Sequence, residues 1–239
     1  LYLLLRFDFF VFQGNLAGHD VQFAYFLMPL AVLAILIASG VALFEQNIKR
    51  LLAYSSIAQI GYILLGASFV TVAGLTASTV HLFNHALAKG ALFLAVGCLA
   101  TQCASLRLSD LGGVAKRMPW TAAALVVAGF SLIGIPGTSG FISKWYLITA
   151  ALEQDAVGIP LVVVLVISSL MAVVYIWRIV EAIYFAAPRD DLSAVREAPL
   201  AMLAVTWLAI LANLYFGLAP ELPVTLASSA AETLLEHLP

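Results

Sequence analysis

Residues 76–101 read TASTVHLFNHALAKGALFLAVGCLAT, an apolar run that contains two histidines and a lysine. If this run is a helix, His81, His85 and Lys89 are spaced four residues apart and lie near one face. Successive groups then rise roughly 6 Å along the axis, a separation that a chain of water molecules can bridge. The stretch therefore predicts a membrane-embedded helix with a row of titratable side chains suited to proton relay.

A simpler interpretation of either histidine alone is a hydrogen-bonded packing residue. Lys89 favours a functional interpretation, because an ionisable group near the middle of a bilayer costs about 2.5 kcal/mol or more and is rarely retained without a use. A metal site on His81 and His85 is disfavoured, since no third protein ligand lies at a useful spacing. We therefore predict His81, His85 and Lys89 as proton carriers, with no metal ligand among them.

The composition places the whole chain in a membrane. Of its 239 residues, 63% are hydrophobic and only 10% are charged, whereas soluble domains are about half apolar and a quarter charged. The net charge of −2 and the absence of a Lys/Arg cluster exclude a nucleic-acid partner. We expect a multi-pass protein of the bacterial or archaeal inner membrane, with the lipid bilayer as its surroundings.

Hydropathy divides the chain into spans. The first residues, LYLLLRFDFFVF, have no initiating Met, and we interpret 1–13 as the tail of a truncated transmembrane helix. Each later apolar run is about long enough to cross the hydrocarbon core as a helix. The predicted spans are 22–43, 51–70, 76–101, 121–150, 157–187 and 197–218, followed by a C-terminal tail, 219–239.

Charge in the loops predicts the orientation. Every second loop is basic, and the intervening loops, 14–21, 71–75 and 151–156, contain no Lys or Arg. The positive-inside rule places the basic loops in the cytoplasm. The basic residues are Lys49, Arg50, Arg107, Lys116, Arg117, Arg189 and Arg196.

The span 121–150 contains LIGIPGTSGFISKW, in which Gly134, Pro136, Gly137 and Gly140 come close together. Proline removes a backbone donor and glycine tolerates non-helical angles, so a helix break is expected at membrane depth. Such breaks survive only where freed backbone groups face protein or water, and they mark transport sites. Lys144 follows the break and is a predicted proton carrier; the alternatives are an ordinary proline kink and a lysine that snorkels to the outer interface.

Two further sets of charged residues are candidates. Lys49 lies at the cytoplasmic end of span 51–70, where it is either a solvated positive-inside residue or a point at which protons are taken up. Arg178 and Glu181 lie three residues apart on one helix face, which predicts an ion pair.

Four segments carry a family resemblance: NIKRLLAYSSIAQIGYILLG, HLFNHALAKGALFLAVG, DLGGVAKRMP and GIPGTSGFISKWYL. They resemble the second half of the antiporter-like proton-conducting subunits of respiratory complex I, membrane-bound hydrogenases and Mrp-type multisubunit cation/proton antiporters. The segment GFISKWYL, with DLGGVAKRMP before it and RIVEAIYF after it, is most similar to the D-type membrane protein of Mrp antiporters. The resemblance extends over nearly the whole chain.

This resemblance implies an all-α polytopic helix bundle. Residues 22–187 would form the second of two inverted five-helix repeats, with a discontinuous helix at 121–150. It also implies that Lys89 is the central lysine of the relay, that His81 and His85 feed it, and that Lys144 passes protons outward. Lys49 matches the lysine of the family's D-I-K-R segment.

The sequence departs from the family pattern at two positions. The break reads GIPG where GIPP is frequent, and Asn47 replaces the aspartate that precedes I-K-R. The family's first repeat, with its glutamate and lysine pair, is not in this sequence. These differences leave the predicted proton carriers in place but change the surroundings of the break and of Lys49.

The function expected from these features is proton translocation in a multisubunit Na⁺(K⁺)/H⁺ antiporter, with other membrane subunits as partners. One alternative is a proton-pumping subunit of NADH:quinone oxidoreductase or membrane-bound hydrogenase; another is a structural subunit that conducts nothing. We find no motif for a nicotinamide, a flavin, an iron–sulfur cluster or a quinone. No cofactor is therefore expected, and any redox step would belong to partner subunits.

Overall fold

The computed structural model describes residues 1–6, 24–187 and 194–236. Its described part consists of helices and the turns and loops that connect them, with a single β-bridge between Asn47 and Arg107. The helices are α1 Tyr2–Arg6, α2 Ala24–Phe44, α3 Ile48–Ser68, α4 Val72–Gln102, α5 Pro119–Ile133, α6 Ser139–Leu152, α7 Gly158–Val180, α8 Leu200–Leu218 and α9 Glu221–Glu236.

Five of the described helices are long and apolar enough to cross a membrane: α2, α3, α4, α7 with its continuation to Phe185, and α8. The predicted span 121–150 is divided between two shorter helices, α5 and α6. The chain is thus an all-α, multi-pass membrane protein, and in its described part α5 and α6 form a discontinuous helix. The predicted tail 1–13 and the loop 14–21 lie largely outside the described residues, as does Arg189.

Helix α4 is the centre of the bundle. It packs against α3, α5, α6, α8 and α9. Half of its residues are buried, including small residues such as Ala91, Ala95 and Cys98, which allow neighbouring helices to approach closely. A side chain at the middle of α4 is therefore surrounded by protein, which is the environment that a row of titratable groups requires.

Two of the connections predicted to be cytoplasmic meet at one end of the bundle. The Asn47–Arg107 bridge joins the α2–α3 connection to the α4–α5 connection. The Asn47 side chain accepts a hydrogen bond from the Lys49 backbone N–H at 3.0 Å and caps α3, a role that an aspartate would also fill. The Asn47 N–H in turn donates to Glu45, which lowers the pKa of that carboxyl group, and Glu45 forms an ion pair with Arg50.

Within the C-terminal tail predicted for 219–239, residues Glu221–Glu236 form α9. Its small residue Ala231 packs on Leu75 near the start of α4.

The ends of α7 and α5 have specific hydrogen bonds. Helix α7 continues into a π-helical turn, Glu181–Phe185, with a hydrogen bond from the Ala186 N–H to the Glu181 carbonyl. Glu197 caps α5 by accepting hydrogen bonds from the backbone of Trp120 and Thr121.

Candidate functional site

The three titratable residues predicted on α4 lie along its middle. His81 and Lys89 are buried, at 2% and 5% exposure, and His85 is half-buried. The two imidazole rings are nearly parallel, with centroids 6.3 Å apart. The helical spacing predicted from the sequence is therefore present. The row begins at His81, which contacts both α6 and α3, and ends at Lys89, which contacts α3.

His81 contacts the discontinuous helix. Its Nδ1 lies 2.9 Å from the hydroxyl oxygen of Ser143, a completely buried residue of α6. Its ring also lies beside the Tyr62 ring of α3, with 5.3 Å between the centroids. The Nε2 atom of His81 is buried and has no hydrogen-bond partner among the described residues.

Asn84 makes the second connection between α4 and α6, and sequence reasoning missed it. Its side-chain N–H donates to the Ser139 carbonyl at 2.7 Å, in the first turn of α6. The Asn84 Oδ1 and Ser139 Oγ atoms are both buried without a partner in the described part of the chain. An asparagine between two candidate relay histidines was a usable signal, because a polar amide inside a membrane helix rarely lacks a partner.

Lys89 binds to α3. Its ammonium group donates to the Leu52 carbonyl at 2.7 Å and to the Ser55 hydroxyl, and it lies 5.9 Å from the centre of the Phe93 ring. Ser55 in turn donates to the same Leu52 carbonyl. All of these acceptors are neutral, so the lysine charge has no carboxylate partner among the described residues.

The break between α5 and α6 lies where the sequence predicts it. Gly134 and Gly137 adopt φ values of +93° and +89°, which favour glycine, and Pro136 lies between them. Gly140 was predicted as part of the break, and this is wrong: it belongs to the first turn of α6. A Cβ atom at Gly140 would collide with the Ser131 carbonyl, so this glycine allows α6 to approach α5 closely.

Lys144 turns back toward the break. Its ammonium group donates to the carbonyls of Leu132 and Ile133 at 3.0 and 2.8 Å, which are the last carbonyls of α5, and to the Ser169 hydroxyl at 3.0 Å. The side chain is 8% exposed, so it does not snorkel to the membrane interface. It borders a cavity of about 270 Å³, whose other walls include Phe141 and Val173.

Helix α8 covers the break from another side. Gly217 lies against the backbone of Gly137 and Thr138, and an added Cβ would collide with it. Asn213, one turn earlier on α8, is buried, and its side-chain nitrogen has no partner in the described regions. Helix α8 thus covers one side of the break with protein that presents polar atoms, whereas Ile135 and Pro136 remain exposed.

The remaining candidates are less buried. Lys49 is exposed on the first turn of α3 and lies apart from His81, His85 and Lys89 on α4.

The ion pair predicted between Arg178 and Glu181 does not form. The Arg178 guanidinium donates instead to the carbonyls of Leu43 and Glu45 at the end of α2. Carbonyls at the end of a helix have no partner within that helix, and Arg178 donates to these rather than to the carboxylate of Glu181.

A family model supports the resemblance. The family described as "NADH:quinone oxidoreductase/Mrp antiporter, TM" matches residues 1–172, more than half of the chain. The chain belongs to this family of antiporter-like membrane subunits. The sequence-based recognition is therefore confirmed at the level of the family.

Curated relatives refine the comparison. This antiporter-like chain is 40% identical to NADH-quinone oxidoreductase subunit N of Desulforudis audaxviator over 83% of its own length and 39% of the relative's. It is 32% identical to hydrogenase-4 component B of Escherichia coli, over 90% of this chain and 37% of that protein. The chain thus spans less than half the length of either relative. These names agree better with the complex I alternative than with the Mrp protein expected from GFISKWYL.

Solved structures share the fold. The Mrp complex from Dietzia sp. DQ12-45-1b contains a chain that matches with a TM-score of 0.85 at 28% identity, over 98% of this antiporter-like chain and 50% of that one. Respiratory complex I from Thermus thermophilus matches with a TM-score of 0.80 at 24% identity, over 90% and 45%. At that identity the second match shows the fold alone.

Proposed function

We propose that this chain carries protons across the membrane through His81, His85, Lys89 and Lys144. The observation that supports this most strongly is that both buried lysines are bound only to neutral oxygen atoms among the described residues. A purely structural lysine in a membrane would be expected to pair with a carboxylate, because an unpaired buried charge is costly. Neutral partners allow each lysine to lose and regain its proton.

Water is the proposed link between these groups. Buried polar atoms without a protein partner hydrogen-bond to water in most proteins. Such atoms occur along the proposed path at His81, Asn84, His85 and Ser139. The cavity of about 270 Å³ beside Lys144 is lined mainly by apolar side chains, and Tyr62, Lys144 and Ser169 provide the polar groups to which water can bind there.

Lys49 is proposed as a residue that gathers protons at the cytoplasmic end of the bundle. Its exposure on the first turn of α3 suits exchange with bulk water. The Asn47 side chain accepts the capping hydrogen bond that fixes the backbone of that turn, and the Lys49 side chain itself is exposed.

For the assembly, we favour a redox-driven proton-pumping complex. The curated relatives support this, since several are named as subunits of NADH-quinone oxidoreductase. Other membrane subunits would then be the partners of this chain, and electron transfer would take place in them. The coupling would be electrostatic, because charges in a low-dielectric interior interact over several ångströms.

A Na⁺(K⁺)/H⁺ antiporter is the second candidate. It is supported by the chain of the Dietzia Mrp complex, which matches over 98% of this chain with a TM-score of 0.85. In that assembly the same lysines and histidines would move protons in exchange for a monovalent cation. The two candidates differ in what drives the protons and share the proposed path.

The test uses inverted membrane vesicles that contain the full-length subunit in its native assembly and a pH-sensitive dye. We expect Lys89→Ala and Lys144→Ala each to abolish proton movement while the subunit remains inserted. Lys116→Ala, which removes an exposed cation outside the spans, is the matched control. Full proton movement in either inserted relay variant would overturn the proposal.

The same vesicles distinguish the two assemblies. Lumen acidification that follows NADH oxidation and does not respond to added sodium or potassium supports the redox-driven complex. Alkalinisation of an acidified lumen on adding sodium or potassium supports the antiporter. Vesicles that lack the assembly provide the baseline for both measurements.

A further inference from the structure

The hydroxyl of Ser143 forms a direct hydrogen bond between the discontinuous helix and the relay helix. Its oxygen lies 2.9 Å from Nδ1 of His81, and the serine is completely buried. Ser143 immediately precedes Lys144 in α6, so one turn carries both a proposed proton carrier and the group that contacts another. The proposed path assigns no role to this serine.

The surrounding hydrogen bonds indicate which atom is the donor. The Ser143 oxygen also lies 3.3 Å from the Gly140 carbonyl of its own helix, and only the serine can donate in that contact. The serine oxygen then has a lone pair to accept a hydrogen from Nδ1 of His81. A continuous chain results, from the imidazole N–H through the hydroxyl to the carbonyl.

The opposite arrangement is unfavourable. If the serine donated to Nδ1, the neutral ring would carry its hydrogen on Nε2. That atom is buried with no acceptor among the described residues, so this tautomer needs a water molecule to accept its N–H, and the Ser143 hydroxyl also gives up its bond to the Gly140 carbonyl. The neutral ring with hydrogen on Nδ1 leaves Nε2 as an acceptor, which avoids this cost.

We propose that Ser143 is a positioning residue that holds neutral His81 in the Nδ1–H tautomer, so that Nε2 is the nitrogen that takes up and releases the proton. This inference deepens the proposed proton path and rests on it. A proton that binds the Nε2 lone pair gives an imidazolium with hydrogens on both nitrogens. Release of the proton from Nε2 restores the starting tautomer, and the bond to Ser143 persists throughout.

The other titratable groups near His81 lie on three helices. The His85 ring stacks on it within α4, Tyr62 of α3 lies beside it, and Lys144 follows Ser143 in α6. None of them donates to or accepts from either ring nitrogen of His81 in the described structure. Among the described residues, Ser143 is thus the group that hydrogen-bonds to the His81 ring and can select its tautomer.

Solid-state ¹⁵N NMR of the full-length, histidine-labelled subunit in lipid membranes tests this inference, since the two tautomers give distinct shifts. The His81 signals are assigned by their loss in His81→Gln. At alkaline pH we expect the Nδ1–H tautomer in the wild type and in Ser143→Thr, which keeps the hydroxyl. In Ser143→Ala the tautomer ratio should fall by about two- to twelvefold, the equivalent of one lost hydrogen bond.

Ser68→Ala is the matched control, because it removes a buried hydroxyl that bonds only to its own helix at Leu65. It should leave the His81 tautomer unchanged. A wild type with hydrogen on Nε2, or an unchanged tautomer in Ser143→Ala, would overturn the inference. The tautomer is read without any proton movement, so a failure of the proton path in Lys89→Ala and Lys144→Ala is recognised separately.

Discussion

The ammonium group of Lys144 lies 5.3 Å from the centre of the Tyr62 ring. The same ring lies 5.3 Å, between centroids, from the imidazole of His81. One aromatic side chain of α3 is therefore in contact with two proposed proton carriers on two other helices. The Tyr62 ring stabilises the charged form of Lys144, because an aromatic face attracts a cation.

Tyr62 provides the first prediction. Tyr62→Leu should slow proton movement by about 2- to 30-fold, since a desolvated cation–π contact is worth about 0.5–2 kcal/mol. Tyr62→Phe keeps the ring and should stay closer to the wild type than Tyr62→Leu, although it loses a 3.3 Å hydrogen bond to the Leu165 carbonyl and the contacts of its hydroxyl with Ser168 and Ser169. Dye-monitored vesicles with equal amounts of inserted subunit provide the measurement. Equal rates for the Leu and Phe variants would contradict this role.

The second prediction separates a mobile proton from a fixed charge. Lys89→Arg should lose proton movement as completely as Lys89→Ala, because an arginine stays protonated and cannot pass the proton on. Lys49→Arg makes the same exchange at an exposed site and should be tolerated better. Rates are compared in the same vesicles. A static structural role for Lys89 predicts the opposite, namely that Lys89→Arg retains activity.

Gly140 gives a prediction about stability. Gly140→Ala should destabilise the protein by about 1–3 kcal/mol or more, because the new methyl group collides with the Ser131 backbone of α5. Gly40→Ala, also inside a helix but with no atom near the new methyl group, should be neutral or stabilising by about 0.5–1 kcal/mol. Thermal unfolding in detergent measures both variants. If Gly140→Ala behaves like Gly40→Ala, the close approach of α5 and α6 is not as described.

Arg178 gives the fourth prediction. Arg178→Ala should lower stability by about 1.5–3 kcal/mol, since it removes charged hydrogen bonds to the end of α2. Glu181→Gln should change stability little, because Glu181 has no ion pair with Arg178 in the described structure. The two variants are compared by thermal unfolding in detergent. Equal losses of stability in the two variants would indicate that Arg178 and Glu181 form the ion pair that the sequence predicts.

The sequence was sufficient to predict the features that depend on residues close to one another in the chain. The spacing of His81, His85 and Lys89 follows from helix geometry alone, and Gly134 and Gly137 mark the break because few other residues adopt positive φ. Membrane insertion follows from composition. For these features, the residue types and their spacing along a short stretch of sequence are sufficient for the prediction.

Contacts between distant parts of the chain could not be predicted in this way. Ser143 is 62 positions from His81, and nothing in either segment indicates that they meet. Arg178 prefers the Leu43 carbonyl, 135 positions away, to the nearby carboxylate of Glu181. Carbonyls freed at a helix end have no sequence signature, so partners of this kind require the fold.

The three acceptors around Lys144 suit an amine as well as an ammonium ion. A neutral amine keeps two N–H groups, enough for the Leu132 and Ile133 carbonyls, and gains a lone pair. The Ser169 hydroxyl accepts from the ammonium ion, and by rotating its own hydrogen it can donate to that lone pair instead. Both charge states are then fully hydrogen-bonded with the heavy atoms in place, so only the turn of one hydroxyl need accompany each proton that passes this lysine.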